Sequence, residues 1–142
     1  MLWKEIQTAL WDVISEDSKL EELCDNRFYP TEVPSKAPYP FIASIDNKGA
    51  TPWKTLGRTT EGAIITWPLR VHARDGGVEA NENIVARLYE LFHLQSFEID
   101  EAKVVSSEIT MDSGPYPDPD LEDGYKIWNH DIMLTIRLRK ED

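Results

Sequence analysis

The sequence holds a single cysteine, Cys24, in 142 residues. A lone thiol closes no intrachain disulfide and makes a thiolate zinc site improbable, so stability is expected from packing, in a reducing compartment. No apolar run approaches the ~18–20 residues that span a bilayer. The opening Met1-Leu2-Trp3-Lys4-Glu5 lacks the basic stretch and apolar block of a signal peptide, so folding in a cytoplasm without a membrane is the expectation. Positive charge is scarce as well: 15 Lys and Arg stand against 26 Asp and Glu, a formal net charge of −11. Tight sequence-independent grip on nucleic-acid phosphates needs a cationic patch that this composition barely supplies. What is present is 41% hydrophobic, 10% aromatic and 29% charged, too apolar for disorder, and the length suits one domain over residues 1–142.

Ile6, Leu10, Val13 and Ile14 recur at helical spacing and predict an amphipathic helix over about residues 2–16, with Trp11 beside the stripe as a cover of the core rim or a contact with a neighbour. Ser18 is a candidate cap for a second, shorter turn through Leu23. The prolines at 30, 34, 38 and 40 predict an extended connector, because each lacks an amide donor and fixes φ. Residues 41–45 read as a short strand. The next stretch, Asn47 to Gly62, carries Gly49, Pro52, Gly57 and Gly62 with little periodicity and is expected to be a first long loop. Ile65, Trp67, Leu69, Val71 and Ala73 alternate as a half-buried strand does, and Pro68 moves that strand toward a sheet edge or a bulge. Ile84, Val85, Leu88, Leu91 and Phe92 predict a second amphipathic helix, with His93 near its end suiting the helix dipole. A strand follows over 104–111. A second long loop is expected over 112–124, where Pro115, Pro117 and Pro119 stand among acids. The last strand is predicted where Trp128, His130, Ile132, Leu134, Ile136 and Leu138 share one face. The expected fold is α+β: a four-stranded, mainly antiparallel sheet with two helices packed on one face and two long loops, in the order α-β-β-α-β-β.

Signatures of common enzyme chemistry are missing: there is no Gly-x-Ser-x-Gly nucleophile turn, no phosphate-cradling glycine loop and no dinucleotide fingerprint. His72, His93 and His130 fall on different elements, and none has a His or Cys three or four residues away. Neither catalytic residues nor a metal or cofactor is expected. His72 lies on the polar side of its strand, solvated or at an interface, whereas His130 shares the apolar side, where a hydrogen-bonded core-edge histidine is the common case. Asp118, Asp120 and Glu122 alternate like oxygen ligands for calcium. The glycine and the terminal bidentate glutamate of a calcium loop are not in place, and the flanks read as strands, so a solvated acidic loop is expected. Trp53, flanked by Lys48, Lys54 and Arg58, has two readings: it folds back on its own domain, or it is an aromatic anchor with a basic surround that docks on an acidic neighbouring copy.

The opening helix, Arg27-Phe28-Tyr29-Pro30, Pro38-Tyr39-Pro40-Phe41-Ile42, the strand ending Val71-His72-Ala73-Arg74-Asp75, the helix from Ala80 to Tyr89 and the final strand Asn129 to Arg137 together resemble the tail-terminator or tail-completion proteins of long-tailed bacteriophages and gene transfer agents. The resemblance covers nearly the whole chain and lies in layout. It implies a non-enzymatic virion protein at the head–tail interface, assembled in the host cytoplasm. Such a protein forms a homo-oligomeric ring, usually of six copies, that caps the tail tube, stops its polymerisation and meets the head connector, with DNA passing through and not specifically bound. In that setting the two loops bridge copies or reach the tube. Their candidate contact residues are Lys48, Trp53, Lys54 and Arg58 on the first, and Tyr116, Asp118 and Asp120 on the second. The alternatives are another head–tail connector or secretion-tube adaptor, and a small hydrolase in which His72 or His130 meets a carboxylate and a nucleophile.

Overall fold

The computed structural model describes residues 3–45, 49–54, 61–74, 77–99, 102–118 and 126–140. The first helix, α1 (Trp3–Ser15), buries Ile6, Ala9, Leu10 and Ile14 on one stripe, as the spacing predicts. Trp11 stays partly exposed and stacks on Phe28, with ring centroids 6.2 Å apart, so it covers the core rim. The second, α2 (Ser18–Cys24), is a full helix. Its cap is Asp17 and not Ser18: the Asp17 carboxylate accepts the Leu20 N–H at 2.9 Å, satisfying an amide that has no intrahelical partner. Asn26, in left-handed backbone, donates its side-chain N–H to the carbonyls of Ile14 and Asp17 at 2.7 and 2.8 Å and fixes the corner between the helices.

Strands β1 (Phe28–Tyr29) and β2 (Phe41–Ser44) pair in parallel, Phe28 opposite Ile42. They are joined by the proline connector, which holds a cis Tyr39–Pro40 bond. Arg27 explains why two separated motifs of the sequence belong together. Its guanidinium donates to the Pro40 and Tyr39 carbonyls at 3.1 and 3.2 Å, and its own carbonyl accepts the Ile42 N–H.

The remaining elements are β3 (Gly49–Lys54), β4 (Glu61–Arg74), α3 (Gly77–Phe92), β5 (Glu98–Ile99), β6 (Ala102–Pro117) and β7 (Ile127–Lys140). The expectation of four strands and two helices is therefore overturned. Among the described residues, five strands of four residues or more, two further strands of two residues and three helices follow in the order α-α-β-β-β-β-α-β-β-β. The single sheet is mixed, because β1 runs parallel to β2; its order is β1-β2-β4-β7-β6-β5, with β3 also on β4.

Most of the difference comes from proline. The loop expected from Asn47 to Gly62 is in part β3, which pairs with β4 from Gly49 opposite Thr66 to Lys54 opposite Glu61. Pro52 is tolerated because β3 pairs with β4 alone. The loop expected from 112 to 124 is in part the end of β6, where Pro115 falls in a register shift between Ser113 and Tyr116 and Pro117 closes the strand. Pro68 does not mark an edge: β4 is central, paired along its length with β7 and on its other side with β2 and β3. The Pro68 carbonyl accepts the Ile45 N–H at 3.2 Å, so its imide nitrogen faces the β2 and β3 side of the strand and the ladder to β7 is not interrupted there.

Helix α3 runs across β4, β7 and β6 and buries Asn81, Ile84, Val85, Leu88 and Phe92. The core lies between helices and sheet, and joins these to Ile6, Leu10, Leu20, Trp67, Leu69, Ile132 and Leu134. The end of α3 is held by β6: the buried Ser107 hydroxyl donates to the Phe92 carbonyl, and His93 Nδ1 accepts the Ile109 N–H at 3.0 Å. His93, at the end of α3, is thus tied to a strand amide.

Candidate functional site

Antiparallel register puts cross-strand partners on the same face. Val71 opposite His130, Leu69 opposite Ile132 and Trp67 opposite Leu134 face the helices. His72 opposite Asn129, Arg70 opposite Asp131, Pro68 opposite Met133 and Thr66 opposite Thr135 face the other way. On that second face no helix lies among the described residues. The connector covers only one corner, where Tyr39 and Tyr29 pack on Phe41 at 5.2 and 5.3 Å and His72 stacks on Phe41 at 4.6 Å.

The uncovered face is organised in rows across β4, β7 and β6. In one, Arg70 donates two hydrogen bonds to the Asp131 carboxylate at 2.7 and 3.0 Å, and Tyr116 donates its hydroxyl to the same group at 2.8 Å. Asp131 raises the pKa of Arg70 and, with burial as the larger cause, that of Tyr116. Next to it, Asn129 donates to Asp118 at 2.9 Å. Burial, helped by the Arg70 charge, pushes the neighbouring His72 down to about 4, so its ring is neutral at pH 7; it is half-buried here and not freely solvated. Further along, Pro68, Met133 and Met111 form an apolar row in which Met111 is 60% exposed. Beyond that, Thr110 and Thr135 share a hydrogen bond at 2.8 Å and Arg137 donates to Glu108 at 2.7 Å.

On the helix side, His130 Nε2 meets the Asp112 carboxylate at 2.5 Å, and the Tyr89 hydroxyl donates to the other Asp112 oxygen at 2.9 Å. His130 is therefore the hydrogen-bonded core-edge histidine that its strand position predicts. Two buried groups on this side, the Asn81 amide and His130 Nδ1, have no hydrogen-bond partner among the described residues. Acyl transfer requires a nucleophile bonded to its base. Among the described residues no Ser, Thr or Cys donates to His72 or His130, and Cys24 is buried with its thiol pushed up by that burial. No group of three His, Cys, Asp or Glu among the described residues is arranged to hold a metal ion, and no helix there is long and apolar enough to cross a membrane.

Of the loop residues singled out from sequence, Tyr116 and Asp118 come together on the uncovered face, through Asp131 and Asn129. Trp53 and Lys54 lie in β3, paired with Gly62 and Glu61. Lys48, Arg58 and Asp120 lie outside the described residues, as does Glu122 of the alternating acids. Sequence reasoning missed Arg70, Asp131, Asn129 and Met111. The polar positions alternating with Trp67, Leu69 and Val71 were the available signal, but alternation names a face and not the partners on it.

No family model matches the chain, and neither does any curated protein. Among solved structures, a chain of the virion of a native gene transfer agent particle is similar over 96% of this chain and 96% of its own, with a TM-score of 0.77 and 12% sequence identity. At that identity the likeness establishes a shared fold.

Proposed function

We propose that this chain is a structural protein of a phage-like particle, and that its copies form the ring that caps the tail tube, stops its growth and joins it to the head. The observation that carries this reading is the fold likeness, end to end in both chains, to a component of a gene transfer agent virion. The layout of the sequence supports the finer role, since its paired motifs at Arg27 and Tyr39–Pro40 are joined physically in the fold. The broad one-sided sheet suits a protein that works by contact. A ring needs no reacting group, only two different patches that meet.

The test is to add the purified chain to growing tail tubes and measure tube length and the particle at the tip by electron microscopy. Closed rings at one tip and tubes of fixed length are expected. A chain that binds the head connector but leaves tube length unchanged would instead be a connector protein, and one that binds neither would overturn the proposal.

A further inference from the structure

Among the described residues, the two broad surfaces differ in charge. Among the described residues the helical surface presents the exposed acids Glu21, Glu22, Glu79 and Glu82, together with Asp25, paired with Arg27, and Glu90, paired with Lys19 and Arg87, against the exposed bases Lys4 and Lys19. On the uncovered sheet face, among the described residues, the acids Glu108 and Asp131 are paired with Arg137 and Arg70 and Asp118 accepts from Asn129, while the exposed charged side chains are Arg74, which lies over the Tyr39 ring at 5.5 Å, and Arg139. Between them runs the row of the buried Pro68, the half-buried Met133 and the 60% exposed Met111. An apolar centre containing methionine, internally neutralised charges and arginines at the rim is the anatomy of a protein-binding surface.

We infer that the uncovered sheet face of one copy seats the acidic helical surface of the next copy. This rests on the proposed ring, and it names the two patches that such a ring must bring together. The contact is heterologous: each molecule offers its sheet face to one neighbour and its helices to the other, so repetition closes into a ring when the rotation between copies allows. Charge complementarity selects the partner and its orientation, while the methionine row supplies the area from which water is excluded. The same arginines facing a DNA duplex would set the apolar row against phosphates, with no gain from burying it.

The experiment measures self-association of the full chain, alone and on tail tubes, by sedimentation and electron microscopy. Three variants are compared with the natural sequence: Met111→Glu, a sheet reversal (Arg74→Glu with Arg139→Glu) and a helix reversal (Glu21→Lys, Glu22→Lys and Glu82→Lys). All the positions are solvent-exposed, and thermal melts confirm that each variant folds. Each variant alone is expected to associate about tenfold more weakly or worse. Mixing the two reversed variants restores assembly, because each then offers the surface the other needs. Rings from the natural chain that are unchanged in all three variants would overturn this inference and leave the proposed function standing. A natural chain that never associates, even on tubes, would overturn both. Retention of a DNA duplex by the natural chain, lost in the sheet reversal while rings persist, would assign this face to DNA and overturn the inference.

Discussion

The two faces of the sheet are built from the same strands but held by different forces. Facing the helices, Trp67, Leu69, Val71, Ile132 and Leu134 are buried with almost no exposed surface, and the burial of apolar area dominates. On the other face, polar residues flank the apolar row of Pro68, Met133 and Met111, and order comes from bonds across strands such as Arg70 to Asp131 and Thr110 to Thr135. The first kind of order is strong and indifferent to partners. The second is weak in isolation and readily continued by another surface, which is why a single sheet can be both a scaffold and a docking plate.

Truncation on the covered face should give the largest effect. Leu88, fully buried on α3, meets the core, and Leu88→Ala removes apolar area and leaves a cavity. A loss of about 2–5 kcal/mol is expected from the shift of the urea midpoint. A loss under about 1 kcal/mol would mean that the helix layer collapses onto the gap, and that the core is looser than its burial suggests.

Second in size is the polar joint inside the helical layer. The Asp17 carboxylate caps α2 and binds Arg87 of α3 through two hydrogen bonds, and Arg87 also donates to Glu90. Bonding to Arg87 holds the Asp17 carboxyl below its ordinary 3.8, and Asp17 raises the pKa of Arg87. Removing the carboxylate by Asp17→Ala is expected to cost about 2–3 kcal/mol, since it strips a cap and leaves the half-buried Arg87 guanidinium with Glu90 as its remaining partner. The sign with pH follows from the lowered value. The unfolded chain takes up this proton near 3.8 while the folded chain does not, so the contribution is full above 3.8 and is lost as pH falls through the folded value. Denaturant titrations of both proteins should draw together as pH falls below 3.8; parallel curves would remove Asp17 as the source.

Much of the covered face was legible in the sequence. Spacing at three and four residues marked α1 and α3, and alternation marked β4 and β7 to within a few residues, because a helix or strand that buries one side must repeat at its own period. The uncovered face was not legible in the same way. Arg70 and Asp131 are separated by 61 positions, and their pairing follows from the register of β4 on β7, which no local pattern states. Proline misled where context overrode local preference. Pro52 and Pro117 read as loop residues and Pro68 as the mark of a sheet edge or a bulge, yet Pro52 lies in β3, Pro68 in the central β4 and Pro117 at the end of β6. Two sequence motifs, at Arg27 and at Tyr39–Pro40, were visible as words, but only the fold shows that one holds the backbone of the other.

The uncovered face has a pH signature of its own, separate from that of Asp17. With its folded value near 4 against an ordinary 6.5, mainly because burial disfavours the charged ring, His72 stays neutral while the unfolded chain protonates. Its effect on stability therefore runs against folding as pH falls from about 6.5 to about 4, and is absent above that window. Asp118 and Asp131 oppose the shift, and Arg70 adds to it. His72→Gln should flatten the stability curve between pH 6.5 and 4 and leave the decline below 3.8 in place. A variant whose curve keeps the full slope in the upper window would show that the ring takes its proton as readily when folded.

The smallest expected effect separates a face that holds itself together from one that awaits a partner. The side chains of Arg70 and Asp131 are 30% and 25% exposed, so water screens their attraction. Lysine keeps the charge but cannot make two parallel bonds to one carboxylate, and Tyr116 continues to donate to Asp131 in its absence. Arg70→Lys should therefore cost no more than about 1 kcal/mol in the monomer by urea titration. In the assembled particle the same pair would be shielded from solvent by the neighbouring copy, and the loss of planar pairing should then be larger and less sensitive to salt. Equal costs in monomer and assembly would mean that no surface closes over this row, and the contrast between the two faces would then be a property of the folded chain alone.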